Sequence, residues 1–363
     1  MSKSAKEVLL DYKRKVKHIS DDINFLINTI KMIIASCEKI DNSDIYHEEL
    51  NMLLKRLNEK QFELNTNALD KKISKDVHTA TETLKEINSY LNRQVDDVAL
   101  IKQAALEIKA KVIKSEIEQT QINLKNNTYN SFREAVDKVL DSINDAESYN
   151  FLKKYVEENQ NTLINVGLNS IQAHLLQQAA DFVVKPQSIL SRVVNFQLEQ
   201  FKDDPDLMDI IKANSKEVEL SINENSTSEK IKAFLNETEH QIASEVIRKE
   251  VIIKIIQAIR NVGFVVNKSD VVRAKMGNKV MILAQKPTGE TAQFAVDLDG
   301  SYIYNFEGYE GKEHDYDTDD FIQKLRDFGL ATSEEFQTVY RKPNFVAKKE
   351  SAIQNVNNKK KTK

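Results

Sequence analysis

From Leu9 to Ile40, apolar residues recur in steps of three and four without a miss: Leu9, Tyr12, Val16, Ile19, Ile23, Leu26, Ile30, Ile33, Cys37 and Ile40. A second series runs through Ile73, Val77, Ala80, Leu84, Ile87, Leu91, Val98, Ile101, Ala105, Ile108, Val112 and Ile122, with Gln94, Ser115 and Gln119 polar within the frame. A repeat of ~3.5 residues keeps one stripe against a partner only if helices wind left-handedly around each other, because a straight helix drifts out of that register. The pattern therefore predicts coiled-coil packing rather than a merely amphipathic helix. Phe25, Ile27, Met32 and Ile34 widen the first stripe beyond two heptad positions, which implies more than one neighbour.

Polar clusters mark the ends of these helices. Asp41-Asn42-Ser43-Asp44 separates the first from a second, which spans about Ile45 to Leu124 with a phase slip at Asn65-Thr66-Asn67. Lys125-Asn126-Asn127-Thr128 turns the chain, and Ser131 with Glu134 forms a capping box for a third helix. Further helices are expected over 162–184, 187–202, 206–223 and 228–262, with Pro186 and Pro205 at joints and Ser226 with Glu229 as a second capping box. In the last of these, Val246, Ile247, Val251, Ile252, Ile253, Ile255, Ile256 and Ile259 nearly surround the axis, interrupted by Lys249, Glu250, Lys254 and Arg260. A charge at the bilayer centre costs about 3 kcal/mol, so this pattern predicts a buried helix and not a membrane span.

Glycine and proline usage confirms where the helices stop. Only Gly167 among the glycines precedes residue 263, and no proline precedes Pro186. Both residues destabilise helix interiors and supply turns. After Gly263 the period shortens. Phe264-Val265-Val266, Val280-Met281-Ile282-Leu283, Phe294-Ala295-Val296 and Tyr302-Ile303-Tyr304 read as strands, joined by hairpin-type turns at Pro287-Thr288-Gly289 and Asp299-Gly300. A helix starting near Asp317 or Thr318 carries Phe321, Ile322, Leu325 and Phe328. A short helix near 333–340 follows, and from Lys348 the chain is polar and lysine-rich, as disordered tails are.

The expected fold class is mainly α: an elongated coiled-coil and helical-bundle region followed by a small α+β domain, an antiparallel meander with one helix across a face. The expected divisions are a coiled-coil hairpin over 1–130, a helical bundle over 131–262, an α+β recognition domain over 263–346 and a basic tail over 347–363.

Charge sharpens the picture at the carboxy-terminal end only. The whole chain has a net charge of −4, too balanced for a nucleic-acid coat. Acids at 297, 299, 307, 310, 313, 315, 317, 319 and 320 face a single base, Lys312, whereas the tail is basic. The acidic stretch suits a cation or a basic partner, and the tail suits phosphate, but charge runs also serve as plain solvated surface.

Candidate chemistry is sparse. His314, Asp315 and Asp317 are the densest potential metal ligands, yet the glycine and glutamate of an EF-hand loop are missing, and Asp317, Asp319 and Asp320 equally suit a helix first turn. Asp299, Glu310 and Lys312 follow the acid–x–Lys order of metal-dependent nucleases, in which carboxylates hold Mg²⁺ and the lysine supports the attacking water. Gly308-Tyr309-Glu310-Gly311 lacks the following residues of a phosphate loop and more simply displays Tyr309. The single cysteine, Cys37, occupies a heptad core position, which predicts a buried thiol and excludes a disulfide scaffold. No cofactor is expected.

The leading expectation is a non-enzymatic, cytoplasmic scaffold or interaction subunit of a bacterial multiprotein system, of the kind found in phage defence. Its seam residues Ile19, Ile23, Leu26, Ile30, Leu84, Ile87, Leu91, Ile101 and Ile108 would join helices within a chain and between copies. Tyr309 and the acidic loop would meet a protein partner. Two alternatives stand beside it: a nuclease head using Asp299, Glu310 and Lys312, and a membrane-active bundle in which 246–266 inserts. Nucleic-acid binding through the tail is a minor expectation, and membrane association an unfavoured one.

Overall fold

The computed structural model describes residues 5–38, 40, 41, 43–66, 80–125, 127–274, 278–307, 313–328 and 330, with backbone alone at 5–11, 66, 80–85, 169 and 313–316. Ile73, Val77, the 333–340 helix and the basic tail lie outside these residues. The architecture is mainly α with a small α+β end. Helices α1 (Ala5–Cys37), α2 (Asp44–Thr66) and α3 (Ala80–Leu124) are followed by α4 (Phe132–Ser142), α5 (Ala146–Leu163), α6 (Leu168–Val184), α7 (Pro186–Gln200), α8 (Pro205–Glu219) and α9 (Thr227–Asn261). Strands β1 (Val271–Arg273), β2 (Val280–Gln285), β3 (Thr291–Val296) and β4 (Tyr302–Glu307) precede α10 (Glu313–Asp327). The chain divides into two compact units, a helical one over Val8–Val246 and one that joins the start of α1, up to Glu7, with the chain from Ile247 onward, so the last turns of α9 belong with the sheet.

In the helical unit, α3 is the axis around which three cores form. Its heptad residues Ile87, Leu91, Val98, Ile101, Ala105, Ile108 and Val112 pack with Ile19, Ile23, Leu26 and Ile30 of α1 and Leu50, Leu53 and Leu57 of α2. The polar positions in the frame are matched from the α2 side: Gln94 Nε2 donates to Glu63, the Ser115 hydroxyl bonds the Tyr46 hydroxyl at 3.0 Å, and Gln119 exchanges bonds with Asp41. A second stripe of α3, Ala99 and Leu106, joins Leu190, Val193, Leu207, Ile211, Phe234 and Leu235. A third, Ala110, Ile113 and Ile117, joins Val136, Val139, Leu152, Leu175 and Ala179. Ala99, Ala105 and Ala110, one in each core, are buried where α3 meets its neighbours and let them approach closely.

Local chemistry sets the helix boundaries. The Ser131 hydroxyl caps Glu134 N at 3.2 Å, while Glu134 reaches back to the Asn130 amide, one residue before the cap. Pro186 and Pro205 take the first helical position, where no backbone donor is needed. A break missed in the sequence lies at 143–145, where Asp145 caps Ser148 N at 2.8 Å and starts α5. Asp145 also takes a bidentate grip from Arg192 of α7 at 2.7 and 2.6 Å. Burial would raise the Asp145 carboxyl, but the Arg192 and Ser148 hydrogen bonds hold it below the usual range. Four expectations fail on exposure or bonding. Met32, Ile122 and Ile253 are 65, 72 and 54% exposed, so their faces of the stripe are not covered by the described residues. The Ser226 hydroxyl makes no hydrogen bond, so the second capping box does not form.

The α+β unit is a meander in the order β1-β2-β3-β4, all antiparallel. Gly263 (φ +92°) ends α9 in the left-handed conformation, with Phe264 N donating to Ile259 O at 3.2 Å. The expected strand at 264–266 is reduced to a single bridge, Val265 with Gln285. Asn267 and Asp270 close a reciprocal capping box around a short 3₁₀ turn, which redirects the chain before it can pair further. Pairing resumes at Val271.

Gly300 (φ +78°) closes the β3–β4 turn, and a Cβ there would meet Ile247 Cγ2 at 3.1 Å and Val251 Cγ2 at 3.3 Å. Gly300→Ala adds a left-handed penalty of ~1–2 kcal/mol to that crowding. The expected result is a loss of at least about 1 kcal/mol in urea unfolding of the α+β unit. A stability equal to wild type would show that the turn relaxes freely.

Candidate functional site

Strand alternation gives the sheet two unlike faces. In β2, Val280, Ile282 and Ala284 are buried, while Met281, Leu283 and Gln285 point outward. The inner face packs Phe294 and Phe306 against Phe321 of α10, with centroids 5.3 and 5.7 Å apart. Ile247, Val251, Ile255 and Ile259 of α9 join the same core. Burial, with Asp319 nearby, pushes the Tyr304 phenol up to about 12, so it stays protonated at neutral pH.

The outer face carries an apolar row among exposed polar residues. Register places Val272 beside Met281, Met281 beside Ala295, and Ala295 beside Ile303, a row across all four strands. Strands lie about 4.8 Å apart, so the row is about 14 Å wide. Val272, Met281 and Ile303 are 55, 40 and 59% exposed; Leu283, two residues on from Met281, is 44% exposed, and small Ala295 floors the row. Lys279 and Asp297, paired at 3.1 Å, bound it at one end, and Gln293 and Asn305 adjoin it at the other. Val272, Met281, Leu283, Ala295 and Ile303 themselves offer neither nucleophile nor proton carrier. What they can do chemically is exchange water for another apolar surface.

A second group of functional residue types is buried in the helical unit. Lys102 of α3 is fully buried and lies 2.9 Å from Asp22 Oδ1 of α1, and it also donates to Glu239 of α9. Gln197 Nε2 donates to Glu239 at 3.0 Å, and Gln200 Nε2 to Asp22 at 2.8 Å. The Phe196 ring lies 5.9 Å from the ammonium. Beside them is a cavity of about 10 Å³ lined by His18, Asp22 and Glu239, room for about one water. Burial alone would lower the lysine pKa, but the two carboxylates overcome it and raise it above the ordinary value. A lysine serves as base or nucleophile when its pKa falls. This one is held charged between two carboxylates, and the cluster ties together α1, α3, α7 and α9.

The sequence-predicted residues fall into three groups. Ile19, Ile23, Leu26, Ile30, Ile87, Leu91, Ile101 and Ile108 are at most 5% exposed, brought together within one chain. Leu84 lies on α3 with its side chain outside the description. Cys37 is fully buried, and burial, with Glu116 nearby, raises its thiol pKa. Asp299 sits in the β3–β4 turn and accepts from the Ser301 amide at 2.8 Å. Asp317 pairs with Lys286. His314 and Asp315 are in α10 with side chains outside the description, and Tyr309, Glu310 and Lys312 lie outside the described residues. Among the described residues, no three His, Cys, Asp or Glu side chains converge to hold a metal, and no helix is long and apolar enough to cross a membrane. The outer-face row was missed, although its signal was present: alternation in VMILAQ leaves Met281 and Leu283 on the face opposite the core. Compared with known proteins, the chain matches no family model, no curated protein and no solved structure.

Proposed function

We propose that this chain is a non-enzymatic interaction subunit, in which the helical unit is the scaffold and the α+β unit presents its open sheet face to an apolar surface of a protein partner. The observation that supports this reading is the in-register row Val272–Met281–Ala295–Ile303 with Leu283, whose large side chains are exposed on the face of the sheet opposite the core. Contiguous exposed apolar patches with polar rims mark interaction sites, and the ionic edge at Lys279–Asp297 fits the rim of such a patch.

The test uses the full chain as bait in lysate of its source cell. Ile303→Asp and Met281→Asp are expected to weaken capture of the wild-type partner at least tenfold. Ile164→Asp, at a site 55% exposed in the helical unit, is expected to leave capture unchanged. Equal capture by all three variants overturns the assignment of the sheet face.

A further inference from the structure

Sizes and charges along the outer sheet face complement themselves, and this identifies its occupant. The face is laid out in rows, two residues apart along each strand, and β2 and β3 hold its middle. Along these two strands Lys279 stands beside Asp297, Met281 beside Ala295, Leu283 beside Gln293, and Gln285 beside Thr291. In the first two rows each strand supplies what the other lacks. Lys279 is a base and Asp297 an acid. Met281 is long and exposed, whereas Ala295 is short and 7% exposed. The outer strands flank the second row with one β-branched residue each, Val272 of β1 and Ile303 of β4.

Two sheets that pack face to face lie about 10 Å apart with their strands roughly aligned. A twofold axis lying in such an interface, along the strands and between β2 and β3, keeps each row in place and exchanges the strands. Then β2 meets β3 of the second copy, and β1 meets its β4. Met281 sits over Ala295 of the second copy and Val272 over its Ile303, each contact made twice, as an isologous interface requires. Lys279 faces Asp297 of the second copy while staying beside its own, so the four ions alternate in sign around a ring. Leu283 lies over Gln293 and Gln285 over Thr291, with no charge stranded in either row. Glu307, beside Thr291 on β4, falls at a corner of the face opposite Val265, where a carboxylate reaches solvent. An axis running across the strands instead sets Lys279 against Leu283 or Gln285, and the ions lose their counterions across the interface.

We infer that the outer face of the sheet docks on the same face of a second copy of this chain, about a twofold axis parallel to the strands, with Met281 seated on Ala295 and a ring of Lys279 and Asp297 at one end. The inference rests on the reading of this face as an interaction surface and names its partner. The face measures about 14 Å across the strands and about 20 Å along them, three intervals each way. Each copy covers on the order of 500 Å² of the other, which places the dimer at the weak end of specific complexes.

Sedimentation equilibrium of the full chain tests it, with helicity followed for each variant. The wild type is expected to associate reversibly with a Kd of about 10–100 µM. Lys279→Glu makes all four ring ions acidic and Asp297→Lys makes all four basic, so each variant alone should associate weaker by about tenfold or more. Mixed in equal amounts, the two variants should dimerise again, because every ion then faces its opposite across the interface although like charges stand side by side within each chain. That recovery separates contact between copies from the ion pair within one chain. Met281→Asp should weaken association by about tenfold or more in any mixture, since no counterpart supplies a base at its seat. A wild type still monomeric at about 1 mM overturns the inference, as does a mixture that associates no better than its components. If Ile303→Asp still lowers capture from lysate in that event, the face binds a different protein and the interaction surface stands; if Ile303→Asp captures as the wild type does, both readings fall.

Discussion

Lys102→Met is expected to destabilise the helical unit by about 3–5 kcal/mol, the cost of removing one partner from a buried ion cluster. Methionine keeps the length and most of the volume of lysine. What it removes is the ammonium paired with both Asp22 and Glu239, which are 5 and 3% exposed. Urea unfolding followed by helicity measures the effect. Replacing Asp22 and Glu239 by leucine and methionine in the same variant should recover much of the loss, because the penalty belongs to stranded charge and not to missing contacts. A single variant within about 0.5 kcal/mol of wild type would show that the carboxylates find water. The raised lysine pKa sets the sign of the pH dependence. The stabilisation is complete below the ordinary lysine value of about 10.4 and is lost as pH rises through the folded value. Between pH 6 and 9 the Lys102 contribution should therefore be flat.

Phe294→Ala is expected to cost the α+β unit about 3–5 kcal/mol, the usual range for emptying a core phenylalanine site. Phe294 is 1% exposed, and its ring touches those of Tyr304, Phe306 and Phe321 at centroid distances of 5.3–6.3 Å. Ile303, on the other face of the adjacent strand, should accept aspartate at less than about 1 kcal/mol. The chain has no tryptophan, so tyrosine fluorescence during urea unfolding reports both. A Phe294→Ala protein as stable as wild type would mean that this sheet is not held by its aromatic cluster.

The heptads made the α1–α3 seam legible, because a repeat sustained over nine steps has one physical solution. Residues 12–40 of that series are all buried or half-buried. Less legible was how many neighbours α3 has. The run Val98-Ala99-Leu100-Ile101-Lys102-Gln103-Ala104-Ala105-Leu106 is apolar on every side, so Lys102 had to be either buried or on a narrow exposed strip. Periodicity alone does not separate the two, since Asp22 and Glu239 are 80 and more positions away in the chain. The break at Asp145 was hidden because a capping aspartate needs neither glycine nor proline. Strand β1 was hidden because three residues carry too little alternation to register, whereas the six-residue strands did not escape. The outer sheet row needed register, which sets each residue beside its cross-strand neighbours and is fixed by turns and pairing rather than by any one strand.

The position of α3 at the meeting of three cores has a bearing on how the helical unit comes apart. Its seam residues, Ala99 with Leu106, and Ala110 with Ile113 each complete a different cluster. A helix shared in this way cannot release one set of neighbours without loosening the other two. Partial opening of the unit is thereby penalised, and its melting should be a single cooperative event although the three clusters draw on eight other helices.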